Sequence, residues 1–213
     1  MQYRRLADEY FLLCHDPDSG KLHVNHEVFA TGTAGAVLGE LALGNRLDIT
    51  PTSVTLRGAW AADDIVVDGA VAAFQAAPRV LRADQWVEIL RLKAPEIIAQ
   101  RLAASGDLRP EVTRGMFGRE KVTSRLNPHL ASMPRVRLRN GIARPDDADA
   151  GLSMLASLVL ATQVEHLTEL MGGGGDDRER LRSLANRHGN PGLRHLADAV
   201  REVASRIALR AFD

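Results

Sequence analysis

Residues 152–161 read LSMLASLVLA, an uninterrupted run of apolar and small side chains. Leu152, Leu155 and Val159 recur at helical spacing, and further leucines in the run widen the apolar face. A helix that is apolar on more than one side has to be covered on more than one side, so this segment is predicted to be the centre of a helical core. The run is too short to cross a bilayer, which needs roughly 20 apolar residues.

The composition agrees with a helical fold. Aromatic residues make up only 4% of the 213 residues, so the core must be built mainly from Leu, Val, Ile and Ala. Cys14 is the only cysteine, which excludes an internal disulfide framework and a cysteine-based zinc site within one chain. The opening residues precede no apolar signal region, so we expect a cytoplasmic protein.

Turn and capping signals predict a mainly α fold: a helical bundle around a central apolar helix, with one or two short β-hairpins, in one domain over residues 1–213. Asp146 and Asp147 are predicted to cap a long central helix that runs to Met171. Residues 135–139 alternate like a strand, whereas Pro134 also permits a short helix, and periodicity leaves both open. Other helices are predicted near residues 6–14, 37–44, 64–74, 83–93, 95–105 and 193–207, and hairpins at 47–56 and 108–122.

The formal net charge of zero conceals a basic segment. Residues 109–144 contain nine Lys/Arg against two Asp/Glu, whereas the flanks carry ten against fourteen and eight against eleven. Such asymmetry is typical of a protein with an anionic partner, and the alternative is that these arginines pair with acidic groups within the fold. The basic residues of the segment are Arg109, Arg114, Arg119, Lys121, Arg125, Arg135, Arg137, Arg139 and Arg144.

Catalytic and metal-binding motifs find no support in the sequence. His23, His26 and the neighbouring Glu27 come closest to a ligand cluster, but their spacing does not fit the H-E-x-x-H motif of zinc-binding helices. The four glycines at 172–175 lack the Lys-Ser/Thr that follows in a phosphate-binding loop. We therefore expect neither enzymatic activity nor a metal or organic cofactor.

Several short apolar patterns follow one another along nearly the whole chain. They are Glu9 ahead of Leu12-Leu13 and the turn at 16–20; Gly35 with Leu38, then Glu40-Leu41-Ala42-Leu43 and Arg46-Leu47; Leu102 with Gly106 and Leu108; and the leucine-rich helix from Gly151. Their order and spacing resemble the Golgi phosphoprotein 3 family, in a bacterial form that consists of the core alone. The resemblance implies a mostly helical domain, a hairpin that inserts at membranes or joins subunits, and a helix over residues 135–140.

The eukaryotic members of that family are peripheral adaptors that bind phosphatidylinositol-4-phosphate through one Trp and three Arg. Alignment on the patterns above puts Asn25 and Ala34 at the positions of the Trp and the first Arg, and Pro95 and Ile97 near the other two. An Arg supplies charge-assisted hydrogen bonds to phosphate that contribute about 1.5–3 kcal/mol each. Loss of three arginines should therefore abolish this particular headgroup pocket.

Three functions are compatible with these observations. The first is a non-enzymatic peripheral membrane or adaptor protein at the inner face of the membrane, which binds anionic phospholipid through Arg114, Arg119, Lys121, Arg135 and Arg139. The second is a soluble interaction scaffold, or a homo-oligomer joined through the hairpin at 108–122. The third, a winged-helix nucleic-acid binder, is disfavoured because residues 37–43 offer no basic or amide side chains for a recognition helix.

Overall fold

A computed structural model describes residues 5–58, 64–114, 120–169 and 177–210, with the backbone alone for 110–114, 120–125, 168, 169 and 188. Helices dominate, and two antiparallel hairpins complete the fold, so the predicted fold class is confirmed. The elements are α1 (Leu6–Leu13), α2 (His26–Leu43), β1 (Leu47–Ile49), β2 (Val54–Leu56), α3 (Ile65–Ala76), α4 (Ala83–Leu90), α5 (Ala94–Ala104), β3 (Leu108–Arg114), β4 (Glu120–Leu126), α6 (Pro128–Ala143), α7 (Ala150–Ala161), α8 (His166–Glu169), α9 (Asp177–Ala185) and α10 (Pro191–Arg210).

Helix α7 lies at the centre of the core, as the sequence predicts. Residues 152–159 are all buried, and the helix packs against α1, α2, α6, α9 and α10. Its apolar run is therefore covered from several sides, and Leu160 is the one leucine of the run that stays partly exposed. The amphipathic α10 adds Leu193, Leu196, Val200 and Val203 to the same core.

The ends of α7 differ from the prediction. The helix ends at Ala161, well before Met171, which lies outside the described residues. Thr162 is buried and accepts a hydrogen bond from Tyr10 Oη at 3.0 Å, and Gln163 takes a left-handed conformation with φ of 56°. A helix cannot continue through a left-handed residue. The contact with α1 and the reversal at residue 163 therefore end the helix, and the chain starts again as α8.

The N-terminal cap of α7 is also different from the predicted one. Asp146 and Asp147 belong to a single 3-10 turn, Pro145–Asp147. Asp149 is the capping residue, and its Oδ1 accepts a hydrogen bond from the Leu152 amide at 2.7 Å.

Glycines in α2 allow three other helices to approach it closely. A Cβ at Gly35 would lie 2.5 Å from Val200 Cγ2 and 2.9 Å from Leu158 Cδ2, and one at Gly32 would overlap the Tyr10 ring. Real Cβ contacts are not this short, so α1, α7 and α10 pack directly onto the α2 backbone. The residues predicted as a poor recognition helix, 37–43, belong to this buried part of α2.

Residues 135–139 are helical, which resolves the alternative that periodicity left open. They belong to α6, in which Ala131, Arg135, Leu138 and Ile142 are buried at intervals of three and four. Both predicted hairpins are present, and the second continues past the predicted end at 122 to Leu126, which pairs with Leu108.

Candidate functional site

The basic segment forms the hairpin β3–β4 and the helix α6. Between residues 108 and 126 the hairpin holds five Lys/Arg against two Glu. Its register pairs Arg109 with Arg125, so two positive residues occupy directly opposite positions. Like charges at opposed positions destabilise a strand pair. An anion beside the hairpin would relieve this repulsion.

Three of the predicted lipid-binding residues, Arg114, Arg119 and Lys121, fall within residues 108–126 of the sequence. Arg114 ends β3 and pairs with Glu120, and Lys121 in β4 pairs with Thr113. The structure describes these two residues at the level of the backbone, and Arg119 lies outside the described residues.

Arg135 is directed into the protein. It is 7% exposed, and its Nη2 donates hydrogen bonds to the carbonyl oxygens of Leu13 at 2.7 Å and His15 at 2.8 Å. These carbonyls belong to the end of α1, where a helix leaves its last carbonyls without partners in the helix. Arg135 therefore ties α6 to α1 and does not belong to the surface that a membrane could reach. Arg139, one turn further along α6, is exposed.

Arg137 joins three helices through carboxylates. It forms an ion pair with Glu9 of α1, and its Nη2 lies 2.8 and 2.7 Å from the two carboxylate oxygens of Asp149. Glu9 is only 2% exposed, so its negative charge needs a cation in direct contact. The alternative that the sequence left open, pairing of the basic segment with acidic residues in the fold, is thus realised for Arg137.

A second buried ion cluster surrounds Arg101 of α5. The guanidinium lies 2.8 Å from Asp8 of α1, 2.8 Å from Glu40 of α2 and 3.2 Å from Asp64, the N-cap of α3. Burial raises the pKa of Asp8, while the Arg101 charge opposes this shift. Arg101 therefore links four helical elements, and Arg5, at the start of α1, forms a further ion pair with Asp64. Sequence reasoning missed this role because the three carboxylates are far apart in the chain.

The positions that the resemblance aligns with the headgroup ligands carry local and packing roles. Asn25 caps α2, with its Oδ1 accepting a hydrogen bond from the Glu27 amide at 2.8 Å. Ala34 is fully buried. Ile97 and its neighbour Lys93 line an apolar groove of about 170 Å³ between α3, α4 and α5. Lys93 is the one charged residue in this lining, and a single ammonium group does not replace the forked contacts that three arginines would make with a phosphate.

The histidines give no sign of a metal site. Within the described residues no three His, Cys, Asp or Glu side chains converge as metal ligands. His23 Nε2 instead lies 3.1 Å from Asp16 Oδ2, in a turn where hydrogen bonds from Ser19 and His23 lower the pKa of Asp16. Among the same residues, no helix combines the length and the apolarity needed to span a bilayer.

Comparison with known proteins identifies one family. The model of the family described as Golgi phosphoprotein 3 (GPP34) matches residues 6–203, which is nearly the whole chain and includes all the elements described above except the last residues of α10. No curated protein gives a significant match.

Proposed function

Because the chain belongs to the Golgi phosphoprotein 3 (GPP34) family, we propose that it is a non-enzymatic peripheral membrane protein that docks on anionic phospholipid. The docking surface in this proposal is the hairpin β3–β4 together with exposed Arg139 of α6. Family membership supports an adaptor or lipid-binding role, and the charge of the hairpin indicates the sign of the partner.

The opposed Arg109 and Arg125 carry the proposal. Paired positions of like charge cost stability in an isolated hairpin, and that cost disappears when an anionic surface lies beside it. Each Lys or Arg close to an anionic membrane contributes about 1 kcal/mol of binding free energy. The hairpin needs no specific pocket for this interaction, because charge alone attracts it.

We further propose that binding is not selective for phosphatidylinositol-4-phosphate. Asn25, Ala34, Pro95 and Ile97 occupy the aligned positions, and none of them can form the forked contact that an Arg makes with phosphate. Generic attraction to negative charge remains, so affinity should follow the charge density of the vesicle and fall as salt rises.

Vesicle co-sedimentation tests both statements. Combined substitution Arg114→Ala, Arg119→Ala and Lys121→Ala removes about 3 kcal/mol, so binding to phosphatidylglycerol vesicles should weaken roughly a hundredfold. The matched control is Arg79→Ala, Arg180→Ala and Arg210→Ala, which removes the same charge from exposed positions outside the hairpin.

The proposal is supported if the hairpin variant loses much of its vesicle binding and the control variant loses little. It also requires that the wild-type chain binds phosphoinositide and phosphatidylglycerol vesicles of equal charge equally well. Equal losses for the two variants would contradict the docking surface. Preference for the phosphoinositide at equal charge would mean that other residues form a headgroup pocket.

A second candidate function, self-association through the hairpin at 108–122, rests on a different observation. β3 and β4 pair only with each other among the described residues, so both outer edges of this sheet are unpaired. Unpaired edges are templates for strand addition from another chain. Light scattering coupled to size exclusion should then show a dimer, and Val112→Pro, which removes a backbone donor, should convert it to a monomer.

A further inference from the structure

A cleft of about 620 Å³ lies between α7, α9 and α10 and shares no residue with the hairpin or with α6. Ser157 lines the cleft, and its Oγ lies 3.0 Å from the Ser153 carbonyl oxygen of the same helix and 3.1 Å from the Ala185 carbonyl oxygen of α9. Arginines and amides dominate the polar part of its wall: Arg178, Arg182, Arg194, Arg201, Gln163 and Asn186. A volume of this size accommodates a small-molecule ligand.

Positive charge exceeds negative charge in this cleft. Its four arginines face two carboxylates, Glu165 and Asp198. Arg178 lies 3.1 Å from Glu165, and Arg201 lies 2.8 Å from Asp198. Arg194 forms no ion pair with any residue that the structure describes.

Arg182 has a partner outside the cleft, Glu179, at 3.2 Å, and both side chains are more than half exposed. Ion pairs at this exposure contribute only about 0–1 kcal/mol. A ligand with a higher charge density than the Glu179 carboxylate can therefore bind Arg182 at small cost. Arg194 can bind such a ligand without first breaking an ion pair.

Gln163 adds an independent observation. It lines the cleft and has a φ of 56°, in the left-handed region where glycine usually ends a helix. A non-glycine residue there costs of order 1 kcal/mol, and such strain is often found at functional sites. Gln163 lines the cleft together with the arginines, and its side chain carries an amide that glycine would not supply.

We propose that this cleft binds a phosphate-bearing group, either of a soluble metabolite or of a lipid headgroup. Guanidinium groups donate forked hydrogen bonds that match phosphate oxygens, and a tetrahedral phosphate can accept from several of them at once. The amides of Gln163 and Asn186 supply neutral donors beside the charged ones. This proposal is independent of the docking of the hairpin on membranes.

A second arginine-lined cleft provides the matched control. It has about 530 Å³, lies between α4 and the end of α10, and is lined by four arginines and two carboxylates: Arg79, Arg82, Arg206, Arg210, Asp84 and Glu88. It is therefore equally basic, but its lining includes neither a strained glutamine nor a hydroxyl side chain. Charge alone would thus predict equal anion binding by the two clefts.

The test is calorimetric titration with pyrophosphate. The wild-type chain should bind it, Arg182→Gln combined with Arg194→Gln should weaken binding at least tenfold, and Arg79→Gln combined with Arg210→Gln should weaken it less than threefold. Gln163→Gly should weaken binding severalfold and raise the Tm, because it removes a donor and relieves the backbone. Circular dichroism checks that each variant is folded.

Two further titrations define the ligand. Citrate should bind at least tenfold more weakly than pyrophosphate. Vesicles that contain phosphatidic acid distinguish the sources: reduced sedimentation of the Arg182→Gln/Arg194→Gln variant assigns a lipid headgroup, and unchanged sedimentation assigns a soluble phosphate. The hairpin variant should keep its pyrophosphate binding, so failure of the proposed membrane docking and failure of this site are separate results.

The proposal is overturned if the wild-type chain does not bind pyrophosphate at millimolar concentration, if the two double variants lose affinity equally, if Gln163→Gly binds with unchanged affinity, or if citrate binds as tightly as pyrophosphate.

Discussion

Substitution of Arg101 by Met tests how far the fold depends on one buried cation. The side chain of Arg101 is 9% exposed and contacts the carboxylates of Asp8, Glu40 and Asp64 at 2.8, 2.8 and 3.2 Å. Methionine preserves most of the volume and removes the charge. The carboxylates of α1 and α2 then stay in the protein interior without the guanidinium that compensates them.

The expected loss of unfolding free energy is about 3–5 kcal/mol, the usual result of removing one partner from a buried ion pair. For a chain of this size this corresponds to a decrease in Tm of roughly 6–20 °C. Arg57→Met is the matched control, because Arg57 pairs with Asp48 at 2.8 Å while both side chains are about half exposed. Its loss should stay within about 1 kcal/mol.

The pH dependence of this loss distinguishes two effects of the substitution, the loss of the compensating charge and the loss of packing. Burial already raises the pKa of Asp8, and removal of the Arg101 charge, which opposes the shift, raises it further. The folded variant therefore binds a proton at a pH where its unfolded chain does not. Between these two pKa values stability decreases as pH rises, so the deficit of the variant should become smaller from pH 7 to pH 5.

Urea denaturation of both variants and the wild type at pH 7, 6 and 5 measures these differences. A deficit of Arg101→Met that is the same at every pH would show that lost packing, and not the buried charge, causes it. Equal deficits for Arg101→Met and Arg57→Met at pH 7 would refute the argument that burial makes the Arg101 cluster important.

Three other perturbations test the core. Gly35→Ala should reduce the free energy of unfolding by about 1–3 kcal/mol through overpacking, and adding Val200→Ala should recover part of it in urea titrations. Burial raises the pKa of Cys14 to about 12, so the native thiol should not react with Ellman's reagent at pH 8, whereas the unfolded chain reacts once. Asp149→Ala should lower the unfolding free energy by about 0.5–2 kcal/mol, because the Leu152 amide loses its cap and Arg137 loses one of its carboxylates, and Asp149→Asn, which keeps the capping oxygen, should lose less.

Features that depend on neighbouring residues could be predicted from the sequence. The periodic apolar residues of α10 are buried as expected, and the turn between Ile49 and Val54 joins the expected strands. Trp86 lies in α4, one of the helices predicted from the sequence; it is 2% exposed, and its ring centroid lies 3.9 Å from that of Phe74. These features follow from patterns within a few residues, because hydrophobic periodicity and turn-forming residues involve only positions that are close together in the chain.

Features that depend on residues far apart in the chain could not be predicted from the sequence. The end of α7 involves a hydrogen bond between Tyr10 and Thr162, which are 152 residues apart. The periodicity of the arginines in α6 is compatible with both a strand and a helix, whereas the structure has Arg135 donating to the Leu13 carbonyl, 122 residues earlier. In a strand Arg135 and Arg137 would share a face, whereas in the helix they contact different elements, and no local pattern distinguishes the two.

The same contacts show why the net charge of a segment is a poor measure of the charge at a surface. Two arginines of the basic segment belong to the interior: Arg135 satisfies carbonyls of α1, and Arg137 is neutralised by Glu9 and Asp149. Substituting either of them would weaken lipid binding, if at all, by unfolding the protein. Arg139 is exposed and forms no ion pair with a described residue. A loss of vesicle binding at unchanged Tm is therefore expected from substitutions of Arg139 and of the basic residues in 108–126.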